Sequence, residues 1–530
     1  MHYSIDSLVA RNGKLFGWGW AISPAEGAVS VDILVEGRNG SWSLECLPGG
    51  MRRDLIDAFP GVPYAGSSGF MIQGVLPHDV EVTSAVLRIH LESGNIETGE
   101  LPVRFFNGGE TAPSMLRRVR ESFHSRGLMA TIVAAWRLVV ARCGRFLAII
   151  HSRRWQAVSR GSRSKVLIFD HAMGGGANRF RSELVQKLLS EGQAVTIVIP
   201  DLPTLSYRLE HHQPSGVDAT EHATEAGGLR MLLDRLASTR WHRIYINNLV
   251  SFDAPLEVMA FCLEQRSEGV ALSYFVHDFF PVCQAWSLVN DKGRYCGVPA
   301  LEACTSCLAS QKVPFRAFYR EVLPADWRER WAELLGSCDD ITAFSQSSVD
   351  IMRKAFGDLI ADRIDVNPHR VDYLSGVRVE PALDGVLNVA LIGHISAIKG
   401  AYVVKELVAY AATERLPLCF KVFGSIEGNQ PSERLEVLGP YRTEDLPSLM
   451  REHGIGVCLL PSICPETFSY VTSEVMDMGM PIAVFDLGAP AERTRKYKYG
   501  LILDSQEPGN MATSLLTFRD ALLEERKKQN

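Results

Sequence analysis

Two glutamates, Glu466 and Glu474, stand eight residues apart in the run Pro465-Glu466-Thr467-Phe468-Ser469-Tyr470-Val471-Thr472-Ser473-Glu474. The first falls in a loop after the apolar strand IGVCLLP and the second in the following helix, so both can project toward one cleft. Carboxylates placed this way accept hydrogen bonds from vicinal hydroxyls with fixed geometry. The plainer alternative is a pair of helix-terminus carboxylates near a favourable dipole. A second constellation, Gly393-His394-Ile395-Ser396-Ala397-Ile398-Lys399-Gly400, follows the strand NVALI. A lysine at the start of a helix can stabilise negative charge on a phosphate oxygen without a metal, or be an ordinary surface lysine. A third, Asp170 to Asn178, sets Gly174, Gly175 and Gly176 between a strand and a helix. Glycines there let backbone approach a ligand and expose amide donors. The pattern is not G-x-G-x-x-G, so no dinucleotide site is expected. His277-Asp278 ends the strand ALSYFVHD, and Asn247-Asn248 and Pro368-His369, weaker candidates, end two more.

With Gly479-Met480-Pro481 following, the two-glutamate run resembles the Glu-x7-Glu motif of the retaining GT-B glycosyltransferases, the group 1 glycosyl transferase family. The resemblance covers about 165–505, with the motifs in the family's order. It implies that Glu466 contacts hydroxyls of a donor sugar, that Glu474 holds a nucleotide ribose and that Lys399 faces a departing diphosphate. Gly393, His394, Gly400, Phe468 and Ser469 would complete the donor site, with Tyr441 of the loop Leu438-Gly439-Pro440-Tyr441 near the base. Gly174, Gly175 and Gly176 would touch the donor phosphate or the acceptor, and His277 would lie near the reacting centre. His394 departs from the pattern, because the family usually has Arg there. A neutral histidine donates one hydrogen bond and no charge, which leaves the second cationic phosphate contact in doubt.

The implied reaction moves a sugar from a UDP-, GDP- or dTDP-linked donor to a growing or polyprenol-linked glycan, with retention of configuration. Such chemistry belongs to bacterial surface polysaccharide synthesis (O-antigen, capsule or exopolysaccharide). No convincing enzyme nucleophile is visible, so front-face substitution without a catalytic metal is expected. The competing readings are a nucleotide-sugar epimerase or hydrolase on the same architecture, and a catalytically quiet sugar-binding scaffold of an assembly complex.

The elements that must position these residues form an α/β architecture with two facing Rossmann-like domains. Apolar strands KVLIFDHA, AVTIVIP, RIYINNL and ALSYFVHD alternate with helix-period stretches over 164–378, and NVALIGHI, CFKVFGS, IGVCLLP, PIAVFDL and GLILD do so over 379–530. Residues 1–110 read instead as a β-sandwich of short alternating segments. Gly17-Trp18, Gly19-Trp20, Arg53-Asp54, Phe59-Pro60 and Ser68-Gly69-Phe70 resemble a β-sandwich module attached to some bacterial glycosyltransferases. Its tryptophans are either core residues or a platform for a sugar ring. Between these parts, 111–163 reads as a basic helical linker. Arg137, Arg142 and Arg145 fall within an arc of about 140° on a helix with Trp136 at its border, which suits an anionic membrane surface or packing on a neighbouring domain.

Composition sets the outer limits. The chain has 530 residues, 46% hydrophobic and 22% charged, too long for one ordinary core and unlike a disordered or fibrous chain. The net charge of -6 conceals a segment from Pro113 to Lys165 with eleven Arg and one Lys against Glu121 alone. Even so, aromatics are not interleaved with that charge beyond Trp136 and Trp155, so no nucleic acid is expected. No signal-peptide pattern and no long uninterrupted apolar run occur, which points to the cytoplasm, with a peripheral place at the membrane's inner face. Eleven cysteines, including Cys143, Cys262, Cys419 and Cys458 in apolar runs, suit reduced thiols. Cys283, Cys296, Cys304 and Cys307, spaced C-x12-C-x7-C-x2-C, could close a structural zinc site or remain free or redox-paired thiols.

Overall fold

The computed structural model describes residues 1–106 and 164–530, except 25, 50, 51, 60, 63, 64, 78, 79, 104, 105, 172, 217, 224–227, 429–431 and 530. The basic linker, with Trp136, Arg137, Arg142, Cys143 and Arg145, lies outside the described residues. The chain divides into two compact units: 1–274 with 312–323 and 336–339, and 275–311 with 324–335 and 340–530.

The first unit opens with seven strands, β1 (His2–Arg11), β2 (Lys14–Ile22), β3 (Ala28–Gly37), β4 (Gly40–Pro48), β5 (Gly69–Val75), β6 (Val82–Leu91) and β7 (Ile96–Glu100). They pair antiparallel in one sheet of order β1-β2-β5-β4-β3-β6-β7, rather than in two separate sheets. The sheet rolls until its edges meet. The Tyr3 hydroxyl donates to the Glu100 carbonyl at 2.8 Å and the Met1 amine lies 3.5 Å from Glu97. Closure suits the period-two alternation, because it turns inward a single face carrying Leu8, Leu15, Ile33, Val35, Ile72, Leu87 and Ile89. Trp20 is half-buried and packs on Phe59, whereas Trp18 is 37% exposed.

An α/β sheet follows in the same unit. β8 (Lys165–Phe169), β9 (Ala194–Asp201), β12 (Arg243–Ile246) and β13 (Ala271–Val276) are its parallel strands, with β10 (Ser206–His212) and β11 (Ala219–Ala223) added as an antiparallel hairpin. Val166, Ile168, Val195, Ile197 and Ile199 bury against Val185 and Leu188 of the helix Gly175–Ser190.

In the second unit β14 (Asp340–Ala343) and β15 (Ile364–Val366) pair in parallel. The main sheet is built from β16 (Leu387–Ile395), β17 (Leu418–Ile426), β18 (Leu435–Gly439), β19 (Ile455–Leu460), β20 (Ile482–Phe485) and β21 (Gly500–Leu503). All are parallel, in the order β18-β17-β16-β19-β20-β21. Both faces are covered, which explains why these strands read as unbroken apolar runs. Val389 and Leu391 of β16 join a core with the helix Ala401–Thr413, while Ala390 and Ile392 join the opposite core with Leu446, Met450 and Val475. The winding reverses between β16 and β19, where a doubly wound sheet leaves a crevice at its carboxyl edge. The loops leaving these two strands carry Lys399 and Glu466.

Candidate functional site

At the switch point the two loops are locked together by backbone. Gly400 has φ 87°, and a Cβ there would stand 2.0 Å from the Pro461 carbonyl oxygen. Only glycine permits this approach, and the Ile463 amide then donates to the Ile398 carbonyl at 3.1 Å. The result brings the Lys399 ammonium 3.6 Å from the Glu466 carboxylate, whose other oxygen accepts a hydrogen bond from Ser462. Glu466 holds the Lys399 pKa above its ordinary value, against the effect of desolvation. Below, Gly488 starts the helix Gly488–Thr494 with φ 60°, where a Cβ would meet the Glu466 backbone nitrogen at 2.7 Å. The Ala489 amide donates to the Glu466 carbonyl at 2.9 Å.

Between the two glutamates the chain makes a strained turn. Ser469 has φ 73°, an uncommon value for a residue with a side chain, and its hydroxyl caps the helix Tyr470–Asp477 by accepting from the Thr472 amide. That helix carries Glu474 inward, 4% exposed, where it accepts from the Tyr373 hydroxyl. Tyr441 feels the same carboxylate. Burial first, and Glu474 second, push its phenol up to about 12. With Phe423, Leu438, Gly439 and Pro440 it lines a cavity of about 570 Å³.

His277 reaches this turn through rings and backbone. Its ring stacks on Phe344 at 4.7 Å and on His369 at 5.8 Å, and His369 meets Phe468 edge-on at 4.7 Å. The Thr467 hydroxyl donates to the His277 carbonyl at 2.9 Å. Thus the structure gathers Lys399, Glu466, Phe468, Ser469 and His277 around one turn, together with His369, which carried a weaker expectation.

His394 is engaged differently. Its Nδ1 is 2.8 Å from the Ser425 hydroxyl and its Nε2 is 3.3 Å from Glu427, which also accepts from the Ala397 amide at 2.8 Å. A carboxylate therefore stands beside the position where the resemblance calls for a cation. Gly393, with φ 99°, lies next to it on β16.

The glycine-rich loop belongs to the first unit. Gly174 and Gly175 have φ near 82° and 81°, and Gly175 and Gly176 open the helix Gly175–Ser190. Asp170, fully buried, accepts from Arg181 at 2.8 Å and from Asn178 at 3.0 Å, and Asn178 accepts from the Gly174 amide at 2.6 Å. Asn247 donates to the Ala177 carbonyl at 3.2 Å. This network fixes the loop's shape.

Cys283, Cys296, Cys304 and Cys307 are close enough for their charges to interact, yet no three His, Cys, Asp or Glu side chains among the described residues are grouped to hold a metal ion. Burial pushes Cys283 up to about 12, and the Cys304 sulfur instead accepts from Arg328 at 3.6 Å. Ten free cysteines and no disulfide are found among the described residues.

One central residue carried no expectation. Arg493, on the helix Gly488–Thr494, donates to the carbonyls of Phe468 and Ser469 and to the Ser473 hydroxyl, and lies 4.4 Å over the Phe468 ring. Its partners are mostly main-chain oxygens, which no residue pattern announces.

No protein-family model matches the sequence, and no curated protein matches it. Some solved structures are similar to it at low identity. A crystal structure of Anabaena Alr3699/HepE in complex with UDP-glucose is 16% identical, with a TM-score of 0.41, over 69% of this chain and 91% of that one. Sucrose-phosphate synthase (tll1590) from Thermosynechococcus elongatus is 15% identical, with a TM-score of 0.44, over 67% and 89%. The lipopolysaccharide outer core galactosyltransferase WaaB, in its apo form, is 12% identical, with a TM-score of 0.42, over 68% and 90%. These likenesses are too loose to carry a functional argument. No described helix is long and apolar enough to cross a membrane.

Proposed function

We propose that the chain is a retaining, metal-independent glycosyltransferase that uses a UDP-, GDP- or dTDP-linked sugar. The observation that carries this reading is the Lys399–Glu466 pair at the switch point of a doubly wound sheet, 3.6 Å apart and locked by Gly400 against Pro461. Cation and carboxylate suit two neighbouring parts of one ligand, a phosphate and a sugar. In this reading Glu466 accepts hydrogen bonds from donor hydroxyls, Glu474 holds the ribose, and the Tyr441 cavity takes the base. The anomeric carbon–phosphate oxygen bond breaks as Lys399 stabilises the leaving oxygen. The acceptor hydroxyl oxygen bonds the same face of the anomeric carbon and passes its proton to the departing phosphate. His277 orients donor or acceptor, and the loop Gly174-Gly175-Gly176 serves the phosphate or acceptor side.

The acceptor is a growing or polyprenol-linked glycan of a bacterial surface polysaccharide, and the Arg-rich stretch within 114–160 holds the protein at an anionic inner membrane face. Sedimentation with vesicles containing phosphatidylserine tests that part. Binding that falls steeply with salt supports it, and equal binding to neutral vesicles overturns it.

A thermal-shift screen with UDP, GDP and dTDP, followed by a donor panel, tests the core proposal. One nucleotide should stabilise the chain clearly, and Glu466→Ala and Lys399→Ala should each abolish most turnover of its sugar derivative. Unchanged turnover in both variants would sink it. The second reading, a sugar-binding scaffold without turnover, is favoured by the Glu427 carboxylate beside His394. It predicts nucleotide binding with no release of nucleoside diphosphate from any donor.

A further inference from the structure

We propose that Arg493 is a positioning residue that fixes the separation of Glu466 and Glu474 by clamping the strained turn between them; this rests on the glycosyl-transfer reading above. The turn is held from one side by backbone, since Gly488 abuts Glu466 and Ala489 donates to its carbonyl. On the other side, the guanidinium binds the successive carbonyls of Phe468 and Ser469 and reaches Ser473 at 2.5 Å, one residue before Glu474. It also covers the Phe468 ring, whose edge contacts His369. A planar fork can meet these acceptors together, and a lysine ammonium on a flexible stem cannot. Ser469 needs such a clamp, because its φ of 73° is costly for any residue but glycine.

The charge arrangement agrees. Burial lowers the Arg493 pKa to about 10, so the group is still cationic at neutral pH, and Glu466 and Glu492 are the anions it feels. Glu492 is already committed, since it accepts from the Ser347 amide at 2.9 Å and so caps the helix Gln346–Phe356. Arg493 therefore spends its hydrogen bonds on the turn itself.

The test is a double-substitution cycle on the full chain, read as kcat/KM for release of nucleoside diphosphate from UDP-glucose, GDP-mannose and dTDP-glucose. Arg493→Lys should lower kcat/KM by about 30-fold, with affinity for the bare nucleoside diphosphate changed by less than about 3-fold. In a Ser469→Gly background, where the turn no longer needs clamping, the same substitution should cost less than about 5-fold. An equal loss in both backgrounds, or no loss in either, overturns the inference. If Arg493→Lys does not accumulate as folded protein, Ser473→Ala, which removes one acceptor, should give the same cycle with a loss of about 3-fold. Glu466→Gln is run alongside. If it keeps full turnover, or if the unaltered chain turns over no donor, the glycosyl-transfer reading falls. If Glu466→Gln is impaired and the cycle shows no coupling, only the role of Arg493 falls.

Discussion

Lys399 and Glu466 show how two ordinary residues become a candidate site through their neighbours. The ammonium is half-exposed, yet the adjacent carboxylate keeps it charged beyond the usual lysine range. A raised folded pKa gives stability that is complete below the unfolded value of about 10.5 and is lost as pH rises through the folded value. Lys399→Met should therefore change the unfolding midpoint by a constant amount between pH 6 and 9, with the difference shrinking only above about 10.5. Chemical denaturation across that range checks it, and a difference that varied between pH 6 and 9 would contradict the assignment. Lys399 and Glu466 were legible in the sequence because their types, and their places after apolar strands, each limit the chemistry available. Arg493 was not, since helix arginines are common and its acceptors are mostly carbonyls.

At the scale of elements, the parallel strands could be read from their apolar runs, because sheets covered on both faces leave no alternation. The hairpin of β10 and β11 was missed. SYRLEHH and ATEHA are rich in charged and polar residues and carry no buried-strand signal. Its stability comes partly from ionic partners. Glu221 is held down at about 2 by His211, 3.8 Å away, and then by Arg235 at 2.5 Å, against the effect of burial. A depressed carboxylate gives stability present above about 4.5 and lost as pH falls toward 2. Glu221→Gln should cost about 2 kcal/mol at pH 7 and almost nothing near pH 2, measured by urea unfolding. Loop contacts follow a harsher rule. Gly400→Ala would force a Cβ against the Pro461 carbonyl, so a loss of about 2 kcal/mol or more is expected, with donor turnover falling alongside. A fully active, equally stable variant would show that the two loops need not touch.

The largest departure from a string of independent modules concerns the first unit as a whole. Short alternating strands announced a separate β-module, but nothing in the local pattern could show what its outer face meets. Gln73, fully buried on β5, donates to the Val313 carbonyl at 2.8 Å and accepts from the Phe315 amide at 2.5 Å. Phe16 stacks on Phe315 at 6.3 Å, Glu45 pairs with Arg320 at 2.8 Å, and Lys14 pairs with Asp253 at 2.8 Å. The rolled sheet thus buttresses 312–323 and the α/β sheet. Gln73→Leu would leave a buried amide and a buried carbonyl without partners, a cost of about 2–4 kcal/mol. Because those groups join both parts, the loss should appear as a lower midpoint of one shared transition. Calorimetry of the full chain, with tryptophan fluorescence and amide exchange following β1–β7 and β8–β13 separately, reads this directly. Coincident melting that shifts as one in Gln73→Leu supports the buttress. A β1–β7 transition that stays at its original temperature while β8–β13 melts earlier would mean the module folds and stands alone.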